Sequence, residues 1–339
     1  MRPFQRRVLV TGASGYLALH CVQQLLRQGY CVRGTVRDLQ NERKVNPLKQ
    51  LEYSSGHLEL VEADLEFEEE WLRDCDYVLH VASPWPIVAD ERTITVAVNG
   101  TMNVVRAVAK CGTVRKVVVT SSCAAINDGH QNDERIFDES CWTDLSSKTV
   151  DNYARSKTLA EKAVWDFWSD LDESNRFQLT VLNPTFIIGP VLSDIQHGSA
   201  IEESFKIIGR MMDYKTFLAA PKVPLGMVDV RDVAAAHIKA MRSSATDGRR
   251  LLITSTPTVW FGDLTEWLRQ EFSSQGYKIT PITTPTWLFN LYLWLSIDPQ
   301  AESVRHRIGP AINFDNSLVS YIFPAFIYEF LVQDIKNDE

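Results

Sequence analysis

The start of the chain constrains the fold most. Arg7-Val-Leu-Val-Thr11 runs directly into Gly12-Ala-Ser-Gly15-Tyr-Leu-Ala18 and then into a helical pattern. A short β-branched run followed by a glycine turn and a helix is the opening of a β-α unit. Such a unit needs a second parallel strand reached by a crossover. The pattern repeats: runs at Tyr30, Leu58, Tyr77 and Lys116 alternate with helical segments over 18–27, 67–73 and 92–110. Gly29 and Gly112 stand where helices end. The runs are continuous in Val and Leu rather than strictly alternating, so they predict strands buried on both faces. The expectation is an α/β protein, a doubly wound parallel sheet with helices on both sides.

Beyond Ser122 an acidic, polar loop leads to a long helix at about 151–170. FQLTVLNPTFIIGP then gives a sixth strand and a turn. LGMVDVRDVAAAHIKAM gives a further strand and helix, and RRLLITS another strand. From Thr256 the chain is rich in Trp, Phe and Pro and loses the β-α rhythm. The organisation expected is a Rossmann-type nucleotide-binding domain over 1–182, with 225–255 returning to it. A smaller substrate lobe is expected over 183–224 and 256–339.

With 45% hydrophobic and 23% charged residues, the chain has the make-up of a globular protein. Its 35 basic and 43 acidic residues give a formal charge of −8, which disfavours a sequence-independent nucleic-acid binder. Six cysteines show neither C-x-x-C pairing nor histidines at ligand spacing, so no disulfide framework and no metal site are expected. The apolar run behind the basic N-terminus is too short for a secretory leader, and a cytoplasmic protein is expected. The apolar stretches at Trp287 and Tyr321 are too short and interrupted to span a bilayer. They suit core packing, a dimer face or contact with a membrane surface, and the oligomeric expectation is a monomer or homodimer.

The turn after the first strand has the spacing G-x-x-G-x-x-A. Glycines there let a pyrophosphate approach backbone N–H groups at a helix N-terminus, and Ala18 lets the helix pack closely on the sheet. The second strand ends Gly34-Thr-Val-Arg37. An acidic residue at this tip holds a ribose 2′-hydroxyl, whereas a guanidinium suits a 2′-phosphate, so Arg37 favours NADP over NAD. Arg43 and Lys44 could add a second positive contact; Asp38 beside Arg37 fits a plain solvated turn. Asp64-Leu65 and Val81-Ala82-Ser83 end the third and fourth strands, where such sheets line the nucleotide crevice.

Tyr153 and Lys157 lie four residues apart, on one face of the long helix. A neighbouring ammonium stabilises phenolate and should bring the tyrosine nearer its working range. Thr120-Ser121-Ser122 end the central fifth strand, where a hydroxyl can donate to a substrate carbonyl, or else satisfy the turn.

Taken together, VTGASGYLA, GTVRD, EADL, HVASP, NGTMNV, VVVTSSCAAIN, DESCWTD, YARSKTLAE and NPTFIIGP resemble, in order, the extended short-chain dehydrogenases/reductases. Within these the chain looks like the dihydroflavonol reductase, cinnamoyl-CoA reductase and carbonyl reductase branch. The resemblance implies an NADP(H)-dependent oxidoreductase acting on a small carbonyl compound, with Ser122, Tyr153 and Lys157 as its catalytic triad. It implies cofactor contacts from Gly12, Ser14, Gly15, Tyr16, Leu17, Arg37, Lys44, Asp64, Leu65, Val81, Ala82, Ser83, Thr120, Tyr153, Lys157, Pro184 and Ser199. Asn127 matches a substrate-holding asparagine of flavonoid-reducing relatives. Trp85, Trp142, Phe186 and Met227 are either pocket lining or ordinary packing. A nucleotide-sugar epimerase, a sterol-type 3β-hydroxy dehydrogenase and a non-catalytic NADP(H) sensor share much of this pattern. Arg37 disfavours the first, and the complete Ser-Tyr-Lys set disfavours the last. The chain departs from the resemblance after Ser317.

Overall fold

The computed structural model describes residues 6–63, 70–84, 89–130, 135–192, 203–295, 305–309 and 311–323. Seven parallel strands form one sheet: β1 (Arg7–Val10), β2 (Cys31–Val36), β3 (Leu58–Glu62), β4 (Tyr77–His80), β5 (Lys116–Thr120), β6 (Gln178–Pro184) and β7 (Arg249–Ile253). Their spatial order is β7-β6-β5-β4-β1-β2-β3. The order reverses between β1 and β4, which opens a crevice at the strand C-termini.

Successive side chains of the sheet feed two different cores. Val8 and Val10 join Val118 and Leu182 on one face, packed by helices α1 (Tyr16–Arg27), α2 (Glu42–Lys49) and Val230–Arg242. Leu9, Val117, Val119, Leu179 and Val181 pack on the other face, against α3 (Glu91–Cys111) and α4 (Asn152–Asp170). Period-2 alternation with apolar residues at every position accounts for the uninterrupted Val/Leu runs.

α3 starts with a capping box between Asp90 and Thr93 and stops at Gly112, whose φ of 68° is left-handed. α2 was not expected from the sequence, because Pro47 lies inside it. The helix expected over 67–73 is, within the described residues, only a 3₁₀ turn at Glu70–Leu72. After β6, Phe186–Ile188 pairs in parallel with Met227–Asp229 outside the main sheet. A third, smaller core gathers Met211, Ala220, Val223, Met227, Phe261 and Leu264. Met227 is thus packing, and Phe186 lies against the same cluster. The later chain has α-helices at Phe261–Phe272, Thr286–Leu295 and Ser317–Ile322. Among the described residues, no helix is long and apolar enough to cross a membrane, and no group of side chains could hold a metal ion.

Candidate active site

The glycine turn is held by its neighbours on both sides. The Gly12 N–H donates to Thr35 Oγ1 at 2.9 Å and the Ala13 N–H to the Thr35 carbonyl at 2.8 Å. Gly12 has φ +62°, and a Cβ there would lie 2.9 Å from Ala82 Cβ. At Gly34 a Cβ would lie 2.7 Å from Ala13 Cβ, so this glycine of β2 admits the turn. Helix α1 begins at Gly15 with no side-chain cap and no acidic residue in its first turn. Its N-terminal N–H groups are therefore available to an anion.

Thr11, unassigned by sequence reasoning, organises the adjoining turn. Its hydroxyl oxygen accepts the N–H groups of Val81 (3.1 Å) and Ala82 (3.0 Å), and so must donate its own proton to His80 Nδ1 at 3.0 Å. His80 Nε2–H then faces Thr101 Oγ1 at 3.3 Å. Burial, assisted by the Lys157 charge, lowers the His80 pKa to about 3, so the ring is neutral. Val81, Ala82 and Ser83 are half-buried beyond it.

Arg37, at the tip of β2, is exposed and makes no hydrogen bond or ion pair among the described residues. The Asp38 carboxylate accepts the Gln40 N–H at 2.8 Å instead of pairing with Arg37. Lys44, in the first turns of α2, is half-buried, and Arg43 is exposed. Several expected cofactor contacts have side chains engaged elsewhere. The Tyr16 hydroxyl donates to the Gly189 carbonyl at 2.8 Å, and Leu17 is part of the core. The Thr120 hydroxyl donates to His237 Nε2 at 2.7 Å, since His237 Nδ1–H is used by the Val233 carbonyl. Pro184 closes β6, and Ser14 is half-buried in the turn. Asp64, Leu65, Ser199 and Trp85 lie outside the described residues.

Ser122, Tyr153 and Lys157 converge. Ser122 ends the β5 segment, and its Oγ accepts the Ala124 N–H at 3.2 Å. It also hydrogen-bonds the Tyr153 phenol. Tyr153 and Lys157 stand in the first turns of α4, whose N-cap Asp151 accepts the Ala154 N–H at 2.7 Å. Lys157 Nζ lies 5.9 Å from the centre of the Tyr153 ring.

The electrostatics differ from the sequence expectation. Burial raises the Tyr153 phenol above its ordinary value, and the Ser122 hydrogen bond only partly opposes this. Lys157 is itself pushed down to about 8 by burial, with Glu161 acting against the fall. Burial outweighs the lowering that the spacing of Tyr153 and Lys157 alone suggests. The resulting phenol carries its proton at neutral pH, as a proton donor must.

Ser121 and Ser122 divide their work. Ser121 Oγ donates to Glu161 Oε2 at 2.5 Å rather than satisfying turn backbone. Asn127 places Nδ2 3.4 Å from Asp128 Oδ1, and its own Oδ1 is buried without a partner. Arg307, which the sequence did not single out, bridges Asp128 (3.3 Å) and Asp151 (3.1 Å) across more than 150 residues of chain. Burial raises the Asp128 carboxyl and Arg307 opposes it. Trp142 lies flat under the Arg250 guanidinium, 3.7 Å from the ring centre, with Lys162 Nζ at 5.2 Å. That makes it a stacking platform rather than pocket lining.

Comparison with known proteins adds family membership to this geometry. The model of the NAD dependent epimerase/dehydratase family matches residues 8–253. Cinnamoyl-CoA reductase CAD2 of Medicago truncatula is 36% identical over 256 residues, 73% of this chain and 75% of that protein. The NADPH-dependent methylglyoxal reductase GRE2 of Saccharomyces cerevisiae is 32% identical over 265 residues, 73% of this chain and 77% of that protein. Gre2 from Candida albicans, solved in complex with NADPH, has a TM-score of 0.76 and 28% identity, covering 94% of each chain. The chain belongs to the NAD dependent epimerase/dehydratase family, in its extended short-chain dehydrogenase/reductase branch.

Proposed function

We propose that the protein is an NADPH-dependent oxidoreductase that reduces the carbonyl group of a small aldehyde or ketone to an alcohol. The observation that carries this reading is the Ser122–Tyr153–Lys157 cluster at the crevice edge, with a protonated phenol hydrogen-bonded to a serine. The named activities of the cinnamoyl-CoA and methylglyoxal reductases support the reaction class.

The chain's own residues fit the cofactor. Gly12, Ser14 and Gly15, with the backbone of Tyr16 and Leu17, would hold the pyrophosphate, because this helix start is uncapped and glycine-walled. Arg37, without a hydrogen bond or ion pair among the described residues, would take the 2′-phosphate, with Lys44 nearby. The turn from Val81 to Ser83 would flank the nucleotide. Bound NADPH supplies the hydride that goes to the carbonyl carbon.

Tyr153 delivers its phenolic proton to the carbonyl oxygen as negative charge develops there. Ser122 donates a hydrogen bond to the same oxygen, which requires its hydroxyl to turn from the resting contact with Tyr153. Lys157 offsets the phenolate that remains and helps hold the cofactor. Asn127 offers a donor and an unpaired acceptor to the rest of the substrate. We assign the Rossmann role to 1–182 with 225–255, and the substrate lobe to 183–224 and 256–339.

The test is Tyr153→Phe, assayed with NADPH and methylglyoxal by loss of NADPH absorbance, alongside fluorescence titration of NADPH. Turnover should fall by about 100-fold or more, the range of general acid catalysis, with NADPH affinity near wild type. Wild-type turnover in Tyr153→Phe would end the assignment.

A further inference from the structure

The ends of three strands, β5, β6 and β7, and the catalytic helix meet on one buried carboxylate. Glu161 stands one turn beyond Lys157 on α4 and two beyond Tyr153, and its side chain is fully buried. Its Oε2 accepts Ser121 Oγ (2.5 Å) and Asn183 Nδ2 (2.8 Å). Its Oε1 accepts Arg250 Nε (2.5 Å), and Trp165 Nε1 stands 3.4 Å away. The same Asn183 amide also donates to the Ser122 carbonyl at 3.1 Å. Arg250 is fixed in turn by the carbonyls of Glu139, Cys141 and Ala125 and by stacking on Trp142.

We infer that Glu161 is a positioning residue of the reductase site: it fixes the main chain of Ser122 through Ser121 and Asn183, and supplies the counter-charge that keeps Lys157 an ammonium. Arg250 sets how much of that charge Lys157 receives. The inference rests on the Ser122–Tyr153–Lys157 reading.

The groups around Lys157 bear this out. From α4 it is flanked by the neutral Tyr153 phenol and by Glu161, and from β4 by the neutral His80 ring. The anion among them is Glu161, and the cation behind it is Arg250 of β7. Burial takes Lys157 down to about 8 even with Glu161 opposing the fall, so a change in this one counter-charge moves its titration through the assay range.

The experiment is the pH profile of kcat/KM for NADPH and methylglyoxal, in wild type, Glu161→Gln and Arg250→Met, with NADPH affinity and thermal unfolding measured on each. Lys157 loses its proton as pH rises, so activity falls on an alkaline limb. Glu161→Gln should move that limb about one pH unit toward acid, the size expected for losing an adjacent opposite charge. Arg250→Met should move it toward alkali, because Glu161 then acts on Lys157 unshared. NADPH affinity below the limb should stay near wild type in both. Opposite displacements cannot come from loosened packing, which would lower activity at every pH. A limb that stays in place in both variants overturns the proposal; if Glu161→Gln fails to fold, Arg250→Met decides alone. Full turnover in Tyr153→Phe would instead overturn the underlying triad, whatever the limb does.

Discussion

Replacing Thr11 by valine tests how the cofactor turn is built. The side chain is fully buried, and valine reproduces its shape, so neither a cavity nor a clash accompanies the change. What is lost is one oxygen that serves three partners: Val81 N–H at 3.1 Å, Ala82 N–H at 3.0 Å and His80 Nδ1 at 3.0 Å. Neutral hydrogen bonds contribute about 0.5–1.5 kcal/mol each, and three losses give roughly 2–4 kcal/mol. Val81 and Ala82 are half-buried, so water can relieve part of their loss, and we expect about 2–3 kcal/mol. In thermal unfolding this is a fall in Tm of about 4–10 °C. Thr11→Ser keeps the oxygen and should lie within about 1 kcal/mol of wild type. A valine variant as stable as wild type, or a serine variant as weak as valine, would refute the assignment of these bonds.

Two further outcomes follow from the same site. Arg37→Ala should weaken NADPH binding by about 10- to 100-fold, the worth of a charge-assisted contact, and leave NADH binding unchanged; equal losses for both cofactors would remove the 2′-phosphate role. Gly34→Ala places a methyl 2.7 Å from Ala13 Cβ and 3.1 Å from Leu60 Cδ2. It should cost about 1–3 kcal/mol in urea unfolding and loosen NADPH binding as well, and an unperturbed variant would show that the turn does not need this close approach.

The sheet was legible because its strands are buried on both faces. The runs at Arg7, Leu58, Tyr77 and Lys116 start β1, β3, β4 and β5 at the residues where the patterns begin, and β2 starts one residue later than its run. α2 was hidden by Pro47, a residue that normally argues against a helix interior. In the site, spacing put Tyr153 and Lys157 on one helix face and a strand end carried two candidate serines, and the family resemblance singled out Ser122, Tyr153 and Lys157 as the set. Thr11 and Glu161 lay within recognisable segments, yet their roles depend on partners that spacing cannot supply: His80 for one, Arg250 and Asn183 for the other. Arg307 had no local signal at all, since its carboxylates are brought to it only by tertiary folding. Thr120 illustrates the converse. Its position at a strand end suggested the crevice, and its hydroxyl donates to the competing acceptor on His237.

The pairing of Glu161 with Arg250 also has a meaning during synthesis. The two residues are 89 positions apart, and β7 is the last strand of the sheet to leave the ribosome. At about 5–20 residues per second, Glu161 waits roughly 4–18 s after its own translation before Arg250 is made. During that interval β6 is added and α3 and α4 can associate with the first six strands, but the carboxylate of Glu161 has only Lys157 of its own helix as a cation and lacks the Arg250 ion pair, which makes it costly to bury. A nascent chain that ends before residue 250 therefore closes its active centre only at the cost of burying a carboxylate without its Arg250 partner, and the sheet edge beside β6 stays open to another strand until β7 arrives.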